Sequence, residues 1–196
     1  MDRLLLRVCL ALALLAWPLV AGTARAAEES AWDFDFKALE GGDLPMRRFA
    51  GQPVLLVNTA SMCGFAYQFE GLQETWTTNR DAGLVVLGVP SGDFGDQEYG
   101  ESGQIKQFCE VNFAVDFPMT EKEHVRGPEA HPLYRWLLAR LGPSAEPKWN
   151  FHKILIGRDG QPVAAWPSRT EPGAPEVQAA IQASLEGSGE AKSGGS

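Results

Sequence analysis

Cys63 is set in a frame that can turn a thiol into a nucleophile: Val57-Asn58-Thr59-Ala60-Ser61-Met62-Cys63-Gly64-Phe65. The apolar run Val54-Leu55-Leu56-Val57 before it reads as a buried strand, and residues 69–76 after it read as an amphipathic stretch. Strand, short loop, cysteine, helix is a geometry that exposes a thiol, aims backbone N–H groups at it and so favours the thiolate. The competing reading is a buried structural cysteine. Of the three cysteines, Cys9 falls in the apolar N-terminal run, which leaves Cys109 as the second thiol. In an oxidising compartment two cysteines default to a structural disulfide, so a catalytic Cys63 has to compete with a resting Cys63–Cys109 bridge.

The elements that must position these thiols follow from periodicity and punctuation. Residues 34–36 and 44–46, either side of Leu39-Glu40-Gly41-Gly42, predict a short hairpin. Residues 53–59 predict the strand ahead of Cys63, 69–80 a helix with Phe69, Leu72 and Trp76 on one face, and 84–89 a second apolar strand. Residues 102–109 read as a helix with Ile105 and Phe108 inward. Another spans 131–141, with Leu133, Trp136, Leu137 and Arg140 at helical spacing before the stop Gly142-Pro143. Strands 151–156 and 163–166 flank the hairpin signal Arg158-Asp159-Gly160, and 174–185 is the last helix, with Pro175 near its first turn. Parallel strands joined by a helical crossover come first and an antiparallel pair finishes the sheet. That is an α/β sandwich in the thioredoxin-like order, a central mixed β-sheet flanked by helices. A flavodoxin-like sheet is the alternative, and the antiparallel finish counts against it.

Residues 1–26 read as a signal peptide rather than as part of the fold. Arg3 and Arg7 flank the start of an apolar run at 4–20, and Ala24-Arg25-Ala26 has the small-x-small pattern of a signal-peptidase site. Pro18 and the closing Ala and Gly residues favour cleavage near Ala26/Ala27 over a retained membrane anchor. The expectation is an exported, periplasmic protein with no stable membrane association after cleavage. One domain is expected at 32–185, followed at 186–196 by a polar, glycine-rich tail that composition predicts to be disordered. The formal charge of −8 becomes about −10 once residues 1–26, with their net +2, are removed. An acidic chain without a Lys/Arg cluster argues against nucleic acid or an anionic membrane as partner.

Three further segments stand downstream of the Cys63 frame in order: Phe94-Gly95-Asp96-Gln97-Glu98, Ala130-His131-Pro132-Leu133-Tyr134 and Lys148-Trp149-Asn150-Phe151. Together the four resemble the glutathione peroxidases, over nearly all of residues 32–185. In that family the redox residue works with a glutamine, a tryptophan and an asparagine, which by position are Cys63, Gln97, Trp149 and Asn150. The resemblance implies a thiol peroxidase of thioredoxin-like fold that reduces hydrogen peroxide or organic hydroperoxides without a metal or cofactor. Gln107-Phe108-Cys109 is similar to the resolving segment of the two-cysteine branch. It implies that Cys109 captures a Cys63 sulfenic acid as a disulfide, which a thioredoxin-type protein then reduces in place of glutathione.

The chemistry needs all of these groups. A thiol with pKa about 8.5 is about 3% ionised at pH 7, so full ionisation gains at most about 30-fold. The remaining acceleration requires donors that stabilise charge on the sulfur and the leaving oxygen, and Gln97, Asn150 and the Trp149 indole are neutral donors of that kind. Taken singly, Trp149 reads as core, Gln97 as a solvated loop residue and Asn150 as a turn or cap. His131 and Tyr134 also match the family, but His131-Pro132 reads as a helix start and both are assigned to structure. His124 and His152 lie far in sequence from any carboxylate or cysteine cluster, so no metal site is expected.

The departures from the family shape further expectations. Ser91-Gly92-Asp93-Phe94 stands where many members have Cys-Asn-Gln-Phe, and Phe65-Ala66-Tyr67 replaces a usual threonine-proline pair, an exchange expected to loosen the loop after Cys63. The short connection 142–148 argues for a monomer or weak dimer instead of a tetramer, and the basic residues that hold glutathione in tetrameric members have no assignable counterpart. Two rival readings stay open. A thiol-disulfide exchange protein normally needs a Cys-x-x-Cys pair, which Cys63-Gly64-Phe65-Ala66 lacks; a non-catalytic module would hold a structural disulfide.

Overall fold

The strand that leads to Cys63 is apolar on both faces because both faces are covered. In the computed structural model, which describes residues 29–187, β3 (Val54–Thr59) lies inside a four-stranded sheet ordered β4-β3-β5-β6. The expected signal peptide at 1–26, and all of the expected tail beyond residue 187, lie outside the described residues. Every residue of β3 and of β4 (Val85–Pro90) is buried, the mark of a parallel pair packed between layers. β3 and β4 run parallel with Val57 opposite Gly88, whereas β5 (Lys153–Ile156) and β6 (Pro162–Trp166) complete the sheet antiparallel. A separate antiparallel hairpin joins β1 (Asp35–Lys37) to β2 (Asp43–Pro45).

Alternation along the strands divides the core in two. Leu56, Leu87 and Ile154 face a layer made by α3 (Pro132–Leu141) and the β1–β2 hairpin through Leu133, Leu137, Phe36 and Leu44. Leu55, Val57, Val86 and Leu155 face α1 (Gln68–Asn79), α2 (Ser102–Phe113) and α4 (Pro175–Glu186) through Phe69, Leu72, Ile105, Val177 and Ile181. Cys63 and Cys109 both belong to this second layer. The arrangement is the thioredoxin-like one expected from the element order.

β4 is flanked by residues 117–119 so closely that a Cβ on Gly88 would stand 3.2 Å from both Phe117 and Met119. A larger residue there would push both side chains back by a few tenths of an ångström. The clearest departure from the sequence reading is α2. It continues a full turn beyond Cys109 to Phe113 and is capped by Ala114 in the left-handed region at φ 52°. Phe113 supplies the reason: it packs on Phe69 and Phe108 and so keeps the last turn helical. Cys109 therefore sits inside a helix and not at its end.

Candidate active site

Cys63 occupies the turn between β3 and α1 and is 6% exposed. The Phe65 backbone N–H donates to its Sγ at 3.4 Å, as the strand-loop-helix frame requires. The turn is bonded residue by residue: Cys63 N–H donates to Ala60 O, Ala66 N–H to Cys63 O at 2.9 Å and Gln68 N–H to Phe65 O at 2.9 Å. The exchange to Phe65-Ala66-Tyr67 therefore leaves no loose loop, because helical turns replace the restraint that a proline would supply. On the other side of the sulfur, Met62 N–H donates to Gln97 O at 2.9 Å. This bond ties the thiol loop to the loop that carries the glutamine.

Gln97 and Asn150, 53 residues apart in sequence, meet where Asn150 Nδ2 donates to Gln97 Oε1 at 3.2 Å. Asn150 is fully buried. The bond sets the Gln97 amide with its oxygen toward Asn150 and its Nε2 protons without an acceptor among the described residues. Trp149 is 40% exposed and packs its ring on Phe94 at 5.8 Å, the two centroids tilted by 53°. It shares with Phe65 the wall of a cleft of about 620 Å³ that Pro143, Lys148, His152, Ala165, Pro167 and Arg169 also line. The sequence-predicted set is thus gathered around one end of the sheet.

A residue quoted in the Cys63 frame but given no role, Asn58, does much of this gathering. Its side chain donates to Trp149 O at 3.1 Å and accepts from His152 N–H at 3.1 Å, while its backbone carbonyl accepts from Phe151 N–H at 2.6 Å. The clamp holds Phe151 at φ 63°, a left-handed conformation that a bulky residue adopts only when its surroundings impose it. Asp96, beside Gln97, has φ 51°. Two of the three non-glycine residues with positive φ among those described therefore adjoin the two amide donors.

Cys109 is 1% exposed and unbonded to Cys63; both thiols are free. Burial, with the Glu98 and Glu110 carboxylates adding to it, pushes the Cys109 thiol up to about 12. Glu98 is itself buried, and desolvation raises it above the usual carboxylate range against the pull of its N–H donors. Lys153, fully buried on β5, is held by Gln68 Oε1 and by Ser168 O at 3.3 Å, and burial brings its ammonium down to about 7. None of these three environments follows from residue type alone.

The three histidines sit in different settings. His131 caps α3, its Nδ1 accepting from Leu133 N–H at 3.3 Å, and it stacks on Phe36 at 3.9 Å. Tyr134 is buried behind it, and burial raises its phenol. His124 pairs with Asp93 at 2.6 Å, which raises its pKa, and burial lowers His152 to about 4. Among the described residues, no group of three or more His, Cys, Asp or Glu side chains could hold a metal ion, and no helix is long and apolar enough to cross a membrane.

A sequence model of the family described as glutathione peroxidase matches residues 31–138. The chain is 43% identical over 154 residues to the hydroperoxy fatty acid reductase gpx1 of Synechocystis sp., covering 74% of this chain and 91% of that one. It is 44% identical over 143 residues to a glutathione peroxidase of Lactococcus lactis subsp. cremoris, covering 72% and 91%. Among solved structures, Trgpx in its apo form superposes with a TM-score of 0.66 at 34% identity, over 82% of this chain and 97% of that one.

Proposed function

Because this chain belongs to the glutathione peroxidase family, and so is a thiol peroxidase that reduces hydroperoxides, we propose that Cys63 attacks the peroxide with Gln97, Trp149 and Asn150 as its donors. The observation that carries this reading is the Asn150–Gln97 contact at 3.2 Å, which joins two distant loops beside the thiol turn. The Cys63 thiolate takes one peroxide oxygen and becomes a sulfenic acid. The O–O bond breaks and its electron pair leaves on an alkoxide or hydroxide that picks up a proton. The unpaired amide and indole protons stabilise charge on that leaving oxygen, where one such donor is worth about 10²–10³-fold in rate.

Recycling goes through Cys109. Its thiolate attacks the Cys63 sulfur, a disulfide forms, and the hydroxyl leaves as water after gaining a proton. A thioredoxin-type dithiol, or glutathione, then reduces the bridge. The cleft along Phe65 and Trp149 has apolar walls at Pro143, Ala165 and Pro167, an exposed Arg169 and a Lys148 paired to Glu146. It supports an organic hydroperoxide with a hydrocarbon body, in line with the Synechocystis relative, a hydroperoxy fatty acid reductase. The N-terminal pattern supports export to the periplasm, and N-terminal sequencing of the secreted form should start near Ala27.

Peroxide turnover with glutathione and with a thioredoxin-type donor, side by side, tests the whole reading. Cys63→Ser should abolish consumption with both donors, and retained turnover would overturn the assignment. Cys109→Ser should keep the first turnover but lose recycling by the dithiol donor. Full dithiol recycling without Cys109 would remove its resolving role.

A further inference from the structure

Glu98 lies 3% exposed between the loop that carries Cys63 and the segment that leads into α2. One of its oxygens reaches across to the Cys63 loop and the other bonds within its own segment. Oε2 accepts from the Ser61 N–H at 3.2 Å, and Oε1 accepts from the Tyr99 N–H at 2.9 Å. Ser61 is two residues ahead of Cys63, and the Tyr99 ring packs on Phe108, the neighbour of Cys109, at 6.0 Å. The carboxylate thus ties the Cys63 loop to a segment whose Tyr99 ring packs on α2 beside Cys109. Lys122 is the one cation that reaches it appreciably, and the titratable neighbours of Cys109 are Glu98 and Glu110.

The span bears on timing. A resolving thiol must be ionised to attack, yet with a pKa of about 12 only about one Cys109 in 10⁵ is a thiolate at pH 7. It is also held within a helix and buried. Resolution therefore requires α2 to leave its resting place, which would relieve both the burial and the nearby negative charge. Two bonds tie the Cys63 loop to the segment ahead of α2, Met62 N–H to Gln97 O and Ser61 N–H to Glu98 Oε2, and the second is the one a side chain supplies.

We propose that Glu98 is a positioning residue that clips the Cys63 loop to the start of α2 and must release before Cys109 reaches an oxidised Cys63. The inference rests on the resolving role of Cys109 proposed above. In the clipped state the peroxide step has a rigid thiol loop and no competing thiolate. Once the sulfur is oxidised, opening of the clip commits the protein to the disulfide.

The full chain and its Glu98→Gln and Glu98→Asp variants test the clip. Glutamine keeps the reach but can accept with only one oxygen. Aspartate keeps the charge but is one methylene too short to span both N–H groups. Each reduced protein receives one equivalent of hydrogen peroxide, and acid quench, dimedone trapping and mass spectrometry follow sulfenic acid and disulfide separately. The clip predicts opposite signs for E98Q: Cys63 oxidation slower by about two- to five-fold, and bridge formation faster by about tenfold. Amide hydrogen exchange at Ser61 and Tyr99 should speed up by about tenfold in both variants. Slowing of both chemical steps together, or unchanged exchange at the two amides, overturns the proposal. If no Cys63–Cys109 bridge forms in any of the proteins, the resolving role of Cys109 falls with its timing, and the exchange rates alone decide whether Glu98 clips the two elements.

Discussion

At the scale of single residues, the reading proposed above separates groups that would touch the peroxide from groups that hold them. Gln97→Ala and Asn150→Ala should each lower the rate of Cys63 oxidation by about 10²-fold. Because the two amides share a hydrogen bond, the double variant should lose less than the product of the single losses, a shortfall that single-turnover kinetics would measure. Cys63 and the three residues proposed as its donors could be named from the sequence because their residue types are chemically distinctive and stand in a family order. Glu98 was not. Its partners are backbone N–H groups, one of them 37 residues away, and backbone groups leave no mark in a sequence. Lys153 escaped for a different reason: a lysine in a strand reads as solvated, and only the packing of β5 against α1 shows that Gln68 and Ser168 replace the water.

At the scale of elements, the Asn58 clamp joins the end of β3 to the start of β5 and imposes a left-handed backbone on Phe151. Asn58→Ala removes two buried side-chain bonds and leaves a carbonyl and an N–H unpaired, at a cost of about 2–4 kcal/mol. Chemical denaturation should show that loss. Peroxide turnover should fall by about 10²-fold even where the variant is fully folded, since Trp149 and Asn150 lose their anchor. Asn58→Asp keeps the acceptor for His152 and should fall between the two. Element order and most helix limits were readable, because strands covered on both faces leave continuous apolar runs and helices leave apolar residues at three- and four-residue spacing. The full extent of α2 was not readable, because contacts from Phe69 and Phe108 hold its last turn.

At the scale of the whole molecule, burial of Lys153 makes stability depend on pH. Its folded pKa of about 7 lies below the ordinary 10.5, so between those values the unfolded chain holds a proton that the folded chain has released. Stability should therefore rise with pH above 7, by at most about 1.4 kcal/mol per unit. Cys109 acts oppositely. Its folded value of about 12 exceeds the ordinary 9.0, so above pH 9 the folded chain keeps a proton the unfolded one has lost, and stability falls. Between pH 7 and 9 the Cys109 effect is still small, and the raised pKa of His124 opposes the Lys153 rise only in the lower part of the window. Urea titrations across that window should show a rise in wild type that Lys153→Met flattens. Sedimentation velocity should find a monomer or weak dimer, the state expected from the short 142–148 connection. Trp149 carries a last consequence. It is the one exposed tryptophan among the described residues, and it lies along the cleft it shares with Phe65, two positions past the reacting sulfur. Its fluorescence should respond first when that sulfur changes oxidation state, so the unlabelled protein carries an optical gauge of its own turnover.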